Sequence, residues 1–248
     1  MSGHSKWANI KRKKGANDAE RGKIFTKIGR EIQVAVRQGG PDPANNFRLK
    51  LIIQKAKSNN MPADNINRCI QKAAGMGESD AIEEFFYEGY GAGGVAVLCD
   101  MMTDNRNRTA SEIRYIFSRN NGNLGETGCV SYLFERKGEI TVSMEGADED
   151  ELMMLALDAG AADVEVGDGM AILYTDPNDF SQVRENLEKA GCTFLEAERA
   201  MVPNNTVEVS DPETVEKVRK LLDWLEDYDD TQNVYHNADL PEEDDEDE

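Results

Sequence analysis

Between Glu139 and Val202 the chain runs EITVSM, DEDELMMLALDAG, DVEV, MAILYT, DPNDFSQVRENLEKAG and TFLEAERAMV, and this order limits its possible folds more than any other feature. EITVSM alternates, with Ile140, Val142 and Met144 on one face, as a half-buried strand does. The next stretch puts Leu152, Leu155, Ala156 and Ala159 on one helical face and stops at Gly160. DVEV and MAILYT read as strands turned by GDG. The second helix is expected to start at Asp176-Pro177 and stop at Gly191, before a last strand. The result is β-α-β-β-α-β, the split ferredoxin-like arrangement.

The flanks of this unit are incomplete. Before it, EEFFYEGYG and GVAVLCDMMT read as strands joined by glycines. RTASEIRYIFSRNNG reads as a helix, with Thr109 and Glu112 as a capping box and Gly122 as its stop. SYLFER reads as a strand. After it come TVEVS, an amphipathic helix from Asp211-Pro212 with Val215, Val218, Leu222 and Leu225 inward, and the strand QNVYHNA. The tail end is too small for a core of its own, and the leading segment lacks a second helix, so the two are expected to complete each other.

The first 75 residues have helical periodicity throughout. Ile24, Phe25, Ile28 and Ile32 form one stripe, ending at Gly39-Gly40-Pro41. Asp42 is the expected cap of a second helix, with Pro43 at its first position and Phe47, Leu51 and Ile52 inward. A third begins near Pro62 and buries Ile66, Cys69, Ile70 and Ala73. The expected architecture is α+β: an N-terminal three-helix domain, then two α+β domains, one of them the ferredoxin-like unit inserted into the other. The expected boundaries are 1–78 for the basic helical domain, 79–135 plus 204–240 for the discontinuous α+β domain and 136–203 for the insertion. Residues 241–248 are expected to be an acidic disordered tail.

Charge divides along the same lines. The whole chain carries −20, yet residues 1–75 hold 16 Lys and Arg against 5 Asp and Glu, net +11, leaving −31 on the remainder. A basic module beside acidic ones is the footprint of a polyanion ligand. Within it, Lys6, Lys11, Arg12, Lys13 and Lys14 surround Trp7. An aromatic among cations suits RNA, where bases stack while phosphates are neutralised. Arg21, Lys23 and Lys27 extend the basic stretch. Arg106 and Arg108 are expected in a short loop at a helix N-terminus, where free backbone N–H groups attract phosphate.

Other chemistries find little support. No apolar run approaches the roughly 18–20 residues a membrane helix needs, and the start has no secretory h-region. Asp18 and Glu20 fit a transit peptide poorly, and Gly3 is misplaced for myristoylation. None of the four cysteines forms a CxxC pair, and the two histidines, His4 and His236, lie at opposite ends. Gly89, Gly91 and Gly94 match G-x-G-x-x-G, but the β-rich VAVLCDMMT follows where a dinucleotide site needs a helix; a hairpin or close backbone contact is the expected use. No catalytic constellation, cofactor or metal site is expected.

GHSKWANIK, RGKIFTK, EGYGAGGVA, TDNRNRT and NGNLGETGCVSYLFERKG, in that order and spacing, resemble the YebC family over nearly the whole chain. The one departure is Ala92, where the family usually has proline in GYGPGG. The resemblance implies three domains and a cytoplasmic, non-enzymatic regulator of gene expression. It implies DNA binding with transcriptional control, or binding to the ribosome and its RNA that eases translation of difficult stretches such as consecutive prolines. The lack of a presequence before GHSKW points to a bacterial member, expected to be monomeric and away from membranes.

Overall fold

The computed structural model describes residues 18–75, 82–144, 148–167 and 169–241. Three helices come first: α1 (Asp18–Gly39), α2 (Phe47–Ser58) and α3 (Ala63–Gly75). They are followed by β1 (Glu83–Tyr90), β2 (Ala96–Thr103), α4 (Arg106–Arg119) and β3 (Asn123–Leu124). Next come β4 (Phe134–Ser143), α5 (Glu149–Ala159), β5 (Asp163–Gly167), β6 (Met170–Thr175), α6 (Phe180–Lys189) and β7 (Phe194–Pro203). The last elements are β8 (Val207–Glu208), α7 (Pro212–Asp227), β9 (Thr231–His236) and β10 (Ala238–Asp239). The fold is α+β, with a helical N-terminal region ahead of two sheet-containing parts. By contact, the described chain falls into two compact units: residues 18–131 with 207–238, and residues 132–206 with 239–241.

In the first unit, α1 to α3 enclose Ile28, Ile32, Ala35, Val36, Leu49, Ile52, Ala56, Met61, Ile66 and Ala73. The α1 stripe thus faces inward as its spacing predicts, and α1 stops where Gly40 turns left-handed (φ +84°). The start of α2 differs from expectation. Asp42 organises only a turn, accepting from the Ala44 N–H at 2.9 Å. The cap is Asn46, four residues later: its Oδ1 accepts from the Leu49 N–H at 3.0 Å, while its Nδ2 donates to the Ala35 and Gly40 carbonyls at 2.7 and 2.8 Å. One buried amide therefore starts α2 and ties it to the end of α1. Starting there turns Phe47, expected inward, out to solvent at 46% exposure.

The first sheet has the order β3-β1-β2-β9, each neighbouring pair antiparallel. The glycine-rich stretch is indeed a hairpin with a close approach. A Cβ on Gly89 would lie 2.6 Å from the Asn123 carbonyl and 2.6 Å from Phe117 Cε1 of α4, so a bare backbone is needed there. Beside it, buried Glu88 accepts N–H bonds from Gly128, Val130 and Ser131 at 2.8, 2.9 and 2.8 Å. Burial alone would raise this carboxyl, but the three backbone donors hold it below its ordinary value.

The helical region meets this sheet through charged groups. Arg48 of α2 forks onto Glu84 of β1 at 2.7 and 3.1 Å, and within the helical region Lys55 of α2 pairs with Glu31 of α1 at 2.9 Å. Among the described residues, the buried Oδ1 of Asp100 on β2 has no hydrogen-bond partner. Burial first, then the charges of Glu84 and Glu31, push its carboxyl up to about 7 against the pull of Asn233 and Arg48. A raised folded value means that Asp100 stays protonated in the native state while the unfolded chain ionises above about 4. Its favourable contribution is therefore full below about pH 4 and gone once pH passes 7. The stability advantage of Asp100→Asn over the parent, read by urea unfolding, should grow from pH 4 to 7 by about 1.4 kcal/mol per pH unit and then level off. A pH-independent difference between the two would show that Asp100 ionises normally.

The second unit has the antiparallel order β5-β6-β4-β7, the ferredoxin-like sheet. SYLFER is not a separate strand. Ser131–Leu133 forms one 3-10 turn, and β4 runs unbroken through Lys137-Gly138. The glycine that looked like a break is a seat: a Cβ there would approach Phe180 Cδ2 of α6 to 2.6 Å. Helix α6 also starts at Phe180 rather than Asp176, because residues 176–179 form a turn in which Asp176 accepts from the Asn178 N–H at 2.8 Å. Helix α5 behaves as read, capped by Asp148 and ended by Gly160 at φ +103°. Alternation predicted one buried face for β4. The second face is buried too, with Glu139 and Thr141 at 5% and 1% exposure.

Candidate nucleic-acid interface

Lys6, Trp7, Lys11, Arg12, Lys13 and Lys14 lie outside the described residues, as does the acidic tail after Pro241. The remaining candidates can be followed side chain by side chain. Lys23, Lys27 and Arg30 recur at i, i+4 and i+7 on α1, so they share one face. That face meets the C-terminal end of α7. Lys23 Nζ lies 2.9 Å from Asp227 Oδ1, Lys27 Nζ donates to the Glu226 carbonyl at 2.8 Å, and Arg30 donates to the Asp229 carbonyl. Cations at a helix C-terminus satisfy carbonyls that have no partner within the helix and complement its dipole. Arg21 is exposed on the first turns of the same helix.

Arg106 and Arg108 are not in a loop. Asn105 is the cap, its Oδ1 accepting from the Arg108 N–H at 3.1 Å, so both arginines lie on the first turn of α4. Arg106 places its guanidinium 4.3 Å above the Phe85 ring and 3.2 Å from Glu83. Arg108 reaches Asp104 and Asp230, each at 2.9 Å. Thr109 is no cap either: its hydroxyl, buried in the helix, donates to Asp230 Oδ2 at 2.7 Å.

Asp230 is the centre of this arrangement. Its side chain, 2% exposed, also accepts from Thr103 Oγ1 and Tyr228 OH, both at 3.0 Å, and pairs with Arg30 at 2.9 Å. Burial would raise its carboxyl, but donation from Thr109, Arg108, Tyr228 and Thr103 outweighs burial and lowers it. The structure thus brings Lys23, Lys27 and Arg108 together around residues 226–230, where they bind the protein's own acids and carbonyls. Arg106 stands apart, its side chain laid against Phe85 and Glu83 of β1.

Other cations stay open to solvent. Arg37, Lys50, Lys57, Arg68 and Lys72, on α1 to α3, are exposed and make no ion pair among the described residues. They went unnamed in the sequence reading, although their places outside the apolar stripes were the signal for them. Among the described residues no group of three or more His, Cys, Asp or Glu could hold a metal ion, and no helix is long and apolar enough to cross a membrane.

Comparison with known proteins covers both parts of the chain. The family profile described as TACO1/YebC protein N-terminal domain matches residues 5–76, and that of the TACO1/YebC second and third domain matches residues 82–238. Proteins named "Probable transcriptional regulatory protein" are similar along their full length. That of Halothermothrix orenii is 55% identical, covering 98% of this chain and 97% of its own. That of Acetivibrio thermocellus is 57% identical, covering 96% and 98%. The crystal structure of a conserved hypothetical protein from Aquifex aeolicus superposes with a TM-score of 0.86 at 51% identity, over 91% of this chain and 93% of that one. The chain belongs to the TACO1/YebC family.

Proposed function

We propose that this protein is a nucleic-acid-binding regulator of gene expression that grips its target through the basic N-terminal region. The observation that carries the reading is the set of five exposed cations on α1 to α3 that meet no carboxylate among the described residues, in a region of net +11, while the rest of the chain is at −31. Such a surface gains affinity for phosphate by releasing counterions. The acidic remainder repels a phosphate backbone and confines the contact to one end.

The names of the relatives favour DNA and transcriptional control. Trp7 among five cations favours RNA, because an aromatic ring can stack on unpaired bases, and that extends the reading to ribosomal RNA. In either case the protein acts as a cytoplasmic monomer without catalysis. Sedimenting a cell lysate through sucrose, with and without RNase or DNase, tests both targets. The protein should run with ribosomes or with DNA and be released by the matching nuclease. A protein that stays at the top of a low-salt gradient binds neither.

A further inference from the structure

The outer face of α4 and α7 carries an aromatic pair that the core does not require. Tyr115 is 53% exposed and Trp224 37% exposed, and their ring centroids are 6.5 Å apart at a tilt of 39°. The apolar faces of the two helices are filled without them. Ile113, Ile116 and Phe117 of α4 and Val218, Leu221, Leu222 and Leu225 of α7 point inward. Two large rings left side by side in water are an unusual use of apolar area.

The helices run antiparallel. The start of α4, at Arg108 and Thr109, reaches Asp230 just beyond the end of α7, while Tyr115 in mid-helix reaches Trp224. One turn forward along α4 from Tyr115 is Arg119, and one turn back along α7 from Trp224 is Lys220. Antiparallel packing therefore puts both cations at the same end of the ring pair. Both are exposed and neither makes an ion pair among the described residues. At the opposite end the same geometry puts Glu112 and Asp227. Helix α4 itself holds four arginines against one glutamate, within a domain that is otherwise acidic.

We propose that Tyr115, Trp224, Arg119 and Lys220 form a second contact for single-stranded RNA, separate from the basic arm. The rings offer a π-face to one or two unpaired bases, and the two cations hold the adjoining phosphates. Glu112 repels phosphate at the far end, where Asp227 is already paired with Lys23, and this limits the footprint to a short unpaired stretch. A duplex keeps its bases stacked inside and cannot use the rings. This site rests on the reading of the protein as a nucleic-acid binder, but not on the arm as its grip.

Trp7→Phe leaves Trp224 as the only tryptophan of the full-length chain, since the sequence holds two. Titrating that variant with a ten-nucleotide oligouridylate should quench its emission, and an RNA duplex of equal length should not. Arg119→Glu with Lys220→Glu should lower affinity for the single strand about tenfold, read by anisotropy of the labelled oligonucleotide, with Tm unchanged. Quenching that persists after removal of residues 2–14 supports this site even where the arm fails. Oligonucleotide that binds without quenching, and with unchanged affinity for the double variant, overturns the site and leaves the arm standing. No binding of any nucleic acid by the parent chain overturns both.

Discussion

Replacing Asp230 with alanine lowers the stability of the unit formed by residues 18–131 and 207–238 by about 3–5 kcal/mol. The carboxylate is 2% exposed and is shared by Arg30, Arg108, Thr103, Thr109 and Tyr228. Removing it leaves two guanidiniums and three hydroxyls short of an acceptor, each at the cost of an unmade hydrogen bond. Arg30 belongs to the helical region and Arg108 to α4, so the loss also loosens the docking of one on the other. Urea unfolding followed by circular dichroism gives the size of the effect. Its pH dependence has a defined sign. The folded value of Asp230 is lowered, so its contribution is present above the unfolded value near 3.9 and lost as pH falls through the folded one. The gap between Asp230→Ala and the parent should therefore close on acidification below about pH 4. A variant within 1 kcal/mol of the parent at pH 7 would mean that the arginines find other partners.

Deleting residues 2–14 removes Lys6, Lys11, Arg12, Lys13 and Lys14 together with Trp7. If each cation neutralises one phosphate of a single strand, affinity at about 0.1 M salt falls roughly a thousandfold. The helical domain retains Arg37, Lys50, Lys57, Arg68 and Lys72, so weak binding remains. Stability should hold, because the ten buried residues that form the helical core among the described residues lie between Ile28 and Ala73. By contrast, Lys23→Ala and Lys27→Ala should change binding little. Their ammonium groups already serve Asp227 and the Glu226 carbonyl. Filter binding of labelled RNA, with melting curves on the same preparations, measures both. A deletion that unfolds the helical domain would make the arm part of its core.

Much of the fold was legible because hydrophobic period carries it. The α1 stripe, the ferredoxin-like order and the helix from Pro212 all follow from spacing alone. Apart from α6, whose start is delayed by the local turn at Asp176, three departures share one cause, a partner outside their own segment. Asp42 and Asn46 are equally good caps on paper; Asn46 is used because its amide also reaches the end of α1. Thr109 and Glu112 spell a capping box, yet the Thr109 hydroxyl goes to Asp230, 121 positions away. Lys137-Gly138 looked like the end of a strand, and it continues because Phe180 of α6 needs the missing Cβ.

The charges show the same limit. Sequence counts cations but does not say which carboxylate each one meets. Lys23 and Arg37 look alike in the chain, and only packing separates the one held by Asp227 from the one left in solvent. Asp230 was invisible as a hub because it sits in an acidic run, EDYDD, where each carboxylate reads as surface.

The salt dependence of binding tests the central claim most directly. Log affinity for a single-stranded RNA, plotted against log salt concentration, should fall linearly for the full chain, and deletion of residues 2–14 should flatten the slope by about 3.5, at roughly 0.7 per phosphate for five phosphates. Equal slopes for the two proteins, or an affinity indifferent to salt, would contradict a grip made by the basic N-terminal region.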